Sequence, residues 1–127
     1  MTNNSGFTLI EFMVAILILM VGLLGMLQGI NLAMDKNLEN TIRNEGALLA
    51  DEMMMAKRNK TFAALSTTTT NNVVNRYNRG VYKNYSVQQV VNMTTSNTKE
   101  IIINVSWKHR NQRKTQSVSS FVSTISP

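Results

Sequence analysis

The sequence predicts an α+β fold: one long N-terminal helix packed on a small antiparallel sheet of about three strands. Three observations carry this. An uncharged apolar run, FMVAILILMVGLLGML, fills Phe12–Leu27. Apolar residues then recur at helical spacing as far as Ala56, and alternating apolar and polar segments fill the C-terminal part. Proline is absent before Pro127, so nothing forces a break in the helical half.

The helix comes first. Phe7 to Met34 contains one ionisable residue, Glu11. About 20 predominantly apolar residues in a helix cross a bilayer core, so a membrane segment over about residues 7–34 is expected. Gly22 and Gly25 are its weakest helix formers. A cleaved secretory signal peptide is one alternative, but no basic region precedes the run. The pattern also passes into an amphipathic helix without a small-residue cleavage site. A plain signal anchor carrying a soluble domain is the second alternative.

Past the membrane run, Leu27, Ile30, Met34, Leu38, Ile42, Leu49, Met53 and Ala56 fall at spacings of three, four and seven, one face of a helix. Asp35, Lys36, Glu39, Arg43, Glu45 and Asp51 take much of the rest. A helix from about Thr8 to about Lys57 would be roughly 75 Å long at 1.5 Å per residue. Its second half needs a cover for the apolar stripe, which a C-terminal sheet would supply. Gly46 costs up to about 1 kcal/mol relative to alanine and marks either a flexible point or a close contact. The run Met53-Met54-Met55 is read as filling irregular space between helix and sheet, in preference to a metal or cofactor site.

A head follows over residues 59–127. Ser66–Asn72, STTTTNN, reads as a polar surface loop that Asn75–Gly80 continues with basic character. Within Lys83–Met93, Tyr85, Val87, Gln89, Val91 and Met93 alternate with more polar neighbours. In Glu100–Lys108, Ile101, Ile103, Val105 and Trp107 share a face; Ile102, Asn104, Ser106 and Lys108 point the other way. His109–Lys114 is a turn or loop, and Thr115–Ser126 a last strand. These segments make an antiparallel meander over about 83–126.

Charge is unevenly placed within the net +6. Through Met53 there are six acids and two bases; beyond it there are eleven bases and one acid, Glu100, a net +10. Such a head attracts polyanions or anionic surfaces. Cysteine is absent, which excludes disulfides and thiol chemistry. His109 is the sole histidine, with no clustered acids beside it. The sequence leaves a Ser-His-Asp arrangement open, yet it holds no G-x-S-x-G elbow and no phosphate-cradling glycine loop. No catalytic residue, metal ligand or cofactor is expected. Trp107 is expected to cover the helix. With Lys108, Arg110, Arg113 and Lys114 around it, the alternative is a polyanion contact by charge plus stacking. The plainer reading is a solvated loop that guards an edge strand.

One hexapeptide is more specific. Gly6-Phe7-Thr8-Leu9-Ile10-Glu11 sets a carboxylate at the edge of the apolar run, where insertion costs on the order of 2.5–3.5 kcal/mol near a bilayer centre. GFTLIE before an apolar helix resembles the class III signal of type IV prepilins. The resemblance implies a leader over residues 1–6, cleavage between Gly6 and Phe7 by prepilin peptidase, N-methylation at Phe7, and assembly through Glu11 pairing with a neighbouring subunit's N-terminal amine. A buried amine and a buried carboxylate each cost several kcal/mol alone, and pairing recovers much of it. The leader carries no lysine or arginine, so its orientation signal is weak.

Three further features resemble PilV-type minor pilins: VGLLGM at Val21–Met26, the V-x-W step Val105–Trp107, and the closing Ser/Thr/Val strand. Pseudopilins of type II secretion share them. The resemblance implies a minor pilin that helps initiate or cap pilus assembly, or a pseudopilin; a DNA-binding pilin for DNA uptake is the third reading. It also implies a single pass of the bacterial inner membrane with the head in the periplasm, then a place in a cell-surface pilus or periplasmic pseudopilus. The implied partners are other major and minor pilins through the N-terminal helix, the inner-membrane pilus assembly machinery and membrane lipid, with DNA as a further candidate.

Overall fold

The computed structural model describes residues 7–78 and 80–124. Its elements are α1 (Leu9–Arg58), a 3-10 turn (Phe62–Ala64), β1 (Thr69–Asn78), β2 (Val81–Thr95), β3 (Thr98–His109) and β4 (Gln112–Ser123). The strands form one antiparallel sheet in the order β1-β2-β3-β4. A long, apolar N-terminal helix packed on an antiparallel sheet is the predicted α+β class, consistent with a type IV pilin-like fold. The described residues divide into two compact units between Leu38 and Glu39.

In the first unit every residue from Phe7 to Met34 is exposed. A helix apolar on all sides requires a non-aqueous surround, a bilayer or other helices.

In the second unit α1 presents Ile42, Gly46, Leu49, Ala50 and Met54 to the sheet. They meet Tyr85, Val87 and Val91 of β2 and Ile101, Ile103, Val105 and Trp107 of β3, with Leu65 from the connector. The expected alternation of both strands is therefore the core-facing one as far as Val91, with Gln89 buried beside Met53, to whose Sδ its amide donates at 3.7 Å. Met93, expected on the same face, is exposed where the register shifts between Met93 and Thr95. The helical stripe differs in detail from the expectation. Met54 is buried, Met53 half-buried and Met55 exposed; Ala56 is exposed as well. The methionine run crosses the boundary of the interface rather than filling it.

Among the described residues the sheet has four strands, not three. Most of Ser66–Asn72 and of Asn75–Gly80, expected to be loop, belongs to β1, which pairs with β2 from Thr69↔Val90 to Asn78↔Val81. β1 is an edge strand whose core side presents Thr70, Asn72, Val74 and Arg76, of which only Val74 packs on the core. An edge strand with one apolar contact has little hydrophobic alternation to betray it. Arg76 makes an ion pair across to Glu52 of α1.

The basic stretch after β3 is also more ordered than expected. β3 runs to His109 and β4 starts at Gln112, leaving a two-residue turn at Arg110 and Asn111 with φ of 45° and 64°. Paired positive φ values define the type I′ turn, whose twist matches that of the flanking strands. Arg110 is therefore the one basic residue of the turn itself, and Arg113 and Lys114 belong to β4 rather than to a loop.

Lys99 has no counterpart among the expected core residues. It is buried at the start of β3, and its Nζ donates to the carbonyls of Phe62 (2.8 Å) and Leu65 (2.7 Å) while lying 4.3 Å from the Phe62 ring centroid. Two carbonyls and a ring face compensate its lost hydration. The result ties the connector after α1 to the sheet.

Candidate functional site

The site at the N-terminus is built by the start of α1. Phe7 precedes the helix and is exposed; Gly6, the other side of the expected cleavage point, lies outside the described residues. The Thr8 carbonyl accepts the first helical bond, from the Phe12 N–H at 3.2 Å. The Thr8 N–H and hydroxyl both donate to Glu11 Oε2 at 2.8 Å, and the Glu11 N–H donates to Thr8 Oγ1 at 3.4 Å. This reciprocal pair is a capping box, which satisfies two of the backbone donors that a helix start leaves open.

Thr8 was not among the expected site residues. The signal was available, since T-x-x-E before an apolar run is the capping-box signature. Glu11 accordingly has two capabilities. It closes the helix start of its own chain, and its second carboxylate oxygen keeps acceptor capacity. With Ile10, Val14, Ala15 and Ile18 it lines a shallow groove along one helix face, where the small Ala15 leaves room for an approaching helix.

Residues 1–27 match the prokaryotic N-terminal methylation motif. No curated protein and no solved structure matches the chain. The motif and the apolar helix that follows support a type IV prepilin-like chain. They also support membrane anchoring, processing by prepilin peptidase and association with a pilus or pseudopilus.

Of the head residues considered for polyanion contact, Trp107 and Lys114 are set apart from the other three. Trp107 is buried, 6% exposed, with its ring against Gly46 and edge-on to Tyr85 at 5.9 Å between centroids. It covers the helix and offers no free face for a base to stack on. Lys114 shares that core-facing side of the sheet and pairs with Glu39 at 3.3 Å. Lys108 and Arg113 face each other across β3 and β4 on the opposite side, and Arg110 sits exposed in the turn.

Beside Trp107, the Tyr85 hydroxyl donates to the Ile42 carbonyl at 3.0 Å in a buried setting. Burial first, and the Glu45 carboxylate second, push its pKa up to about 12. A folded-state value raised above the ordinary one near 10 contributes stability that is complete below about pH 10 and lost as pH rises toward about 12. Alkaline titration followed by the emission of the single tryptophan should therefore show the head loosening in that window. Tyr85→Phe should carry the transition to higher pH; an unchanged midpoint would remove Tyr85 as its cause.

Proposed function

We propose that the chain is a minor type IV pilin, a structural subunit that helps initiate or cap a pilus. On this reading residues 1–6 are a leader, residues 7–58 the assembly and membrane helix, and residues 59–127 the head. Prepilin peptidase cuts between Gly6 and Phe7, and the new amine of Phe7 is methylated. Glu11 then pairs with the corresponding amine of a neighbouring pilin while α1 packs among other pilin helices. The head lies in the periplasm until the inner-membrane assembly machinery extracts the subunit.

The observation that carries this is the methylation motif set on a helix exposed on every side from Phe7 to Met34, with Glu11 its one ionisable residue. The PilV-type character rests on the resemblance of VGLLGM, Val105–Trp107 and the closing Ser/Thr/Val strand. The minor rather than major role rests on that resemblance together with a short head that has no cysteine to close a C-terminal loop. The same helix would serve a pseudopilin of type II secretion equally well, and the same motif supports that second reading. The DNA-uptake reading keeps its charge but loses Trp107 as a stacking platform.

Mass spectrometry of the N-terminal peptide, in membrane and sheared-filament fractions, tests the proposal. A peptide that begins with methylated Phe7 and occurs in filaments is the expected result. Retention of Met1–Gly6 in every fraction would overturn it. Processed chain confined to membranes of cells that assemble pili would favour the pseudopilin.

A further inference from the structure

Both two-strand tips of the head lie at one end of the sheet. β2 begins where β3 ends, with Ser86 opposite Ser106, so the β1–β2 tip at Gly80 and the β3–β4 turn at Arg110–Asn111 are neighbours. The helix enters the second unit at that same end, where Lys114 meets Glu39 and Tyr85 meets the Ile42 carbonyl. The opposite end holds the connector after α1, fastened by Lys99 to Phe62 and Leu65.

The tips have one chemical character. Tyr77–Lys83 and Lys108–Lys114 read YNRGVYK and KHRNQRK, with five lysines and arginines among the described residues and no acid. On α1, Glu39 pairs with Lys114 and Glu52 with Arg76. Tyr77 and Tyr82 are 63% and 75% exposed with ring centroids 4.7 Å apart, an aromatic pair standing clear of the core. Lys108 lies directly opposite Arg113. Like charges paired across two strands repel, so an external anion between them is favourable.

Chain length bounds how far this end can be from the bilayer. Residues through Met34 form the exposed apolar helix, and Glu39 follows five residues later. Five residues span at most about 18 Å even when fully extended. With residues 7–34 in a membrane, the chain enters the head within that distance of its surface.

We propose that the head docks, by its two basic tips, on anionic phospholipid headgroups of the bilayer that its own N-terminal segment spans. Lys83, Lys108, Arg110 and Arg113 meet lipid phosphates, and Tyr77 and Tyr82 sit at headgroup level, where tyrosine is favoured. A nucleic acid could use the same charge. The tether decides for lipid, because it holds the surface at high effective concentration beside the tips at all times. The inference rests on the membrane reading of residues 7–34 and adds a resting state for the head before extraction.

The test uses the full chain reconstituted in vesicles. The chain has no cysteine, so a dye can be placed singly by Gln112→Cys at the tips or Ser96→Cys at the far end. Energy transfer to a headgroup acceptor is read in phosphatidylcholine alone and with roughly 30% phosphatidylglycerol. The expected result is higher transfer at 112 in the anionic vesicles, little change at 96, and loss of the difference in about 0.5 M salt. Lys108→Gln with Arg113→Gln should lower the docked fraction about tenfold. Equal transfer at 112 in both lipids, or a double variant that docks like the parent, would overturn docking. Flotation with vesicles of either composition reports membrane insertion separately, and its failure would take down the membrane reading and docking together. Salt-dependent binding of a single-stranded oligonucleotide by the chain in detergent, with 112 indifferent to lipid charge, would assign the tips to nucleic acid instead.

Discussion

Glu11→Ala is expected to leave the chain in the membrane while its recovery in assembled filaments falls about a hundredfold or more, because breaking a buried pair costs about 3–5 kcal/mol. The loss has two parts, and the capping box allows them to be separated. Alanine removes both the charge that would meet a neighbour's amine and the acceptor that holds the Thr8 N–H and hydroxyl. Glu11→Gln keeps an acceptor at the third helical position, which the capping box tolerates, and deletes only the charge. Thr8→Ala keeps the charge and opens the helix start, at a cost of about 1 kcal/mol. If pairing with an amine is what Glu11 does, glutamine should assemble almost as poorly as alanine, and Thr8→Ala should lose only severalfold. Quantitative immunoblotting of sheared filaments against membranes reads the outcome. Glutamine assembling like the parent would mean that Glu11 works through its own helix start, and the pairing role would fall.

The parts of the fold that were legible in the sequence are those where one period dominates. The helix is drawn by spacing of three, four and seven, and β2 and β3 by strict alternation with a fully buried side: Tyr85, Val87 and Val91, then Ile101, Ile103, Val105 and Trp107. β1 escaped because its pairing is made by backbone, which any sequence can offer, while its core side carries Thr70, Asn72 and Arg76 around Val74. The start of β4 escaped for a related reason. Gln112, Arg113 and Lys114 look like loop residues, yet the positive φ at Arg110 and Asn111 closes the turn in two residues and pairs them at once. At the N-terminus GFTLIE was legible as a processing motif through its residue types. The contact between Thr8 and Glu11 was legible too, as a capping signature. For Gly46 a close contact was one of the two readings the sequence offered; its partner was not legible, since Trp107 lies far away in sequence, on the third strand.

That pair yields the second large effect, and a change of sign. Glycine inside a helix is unfavourable by roughly 1 kcal/mol relative to alanine, so Gly46→Ala in an open position would stabilise α1. Here an added Cβ would stand 2.8 Å from Trp107 Cζ3 and 3.2 Å from Cε3. The indole is rigid and backed by the Tyr85 ring, itself held by the Ile42 carbonyl, so it has little room to retreat. Overpacking of this kind costs about 1–3 kcal/mol, which outweighs the gain in helix propensity. Trp107→Ala alone should cost about 3–5 kcal/mol, a large share of what holds so small a head together. With the indole gone, the same Gly46→Ala change should become stabilising. Thermal unfolding of the four chains in detergent, followed by circular dichroism because the tryptophan is deleted in two of them, measures the cycle. A coupling of about 1–3 kcal/mol with reversal of sign is the expected result. Additive effects would show that the indole yields freely, and that Gly46 is not the seat that fixes the sheet on the helix.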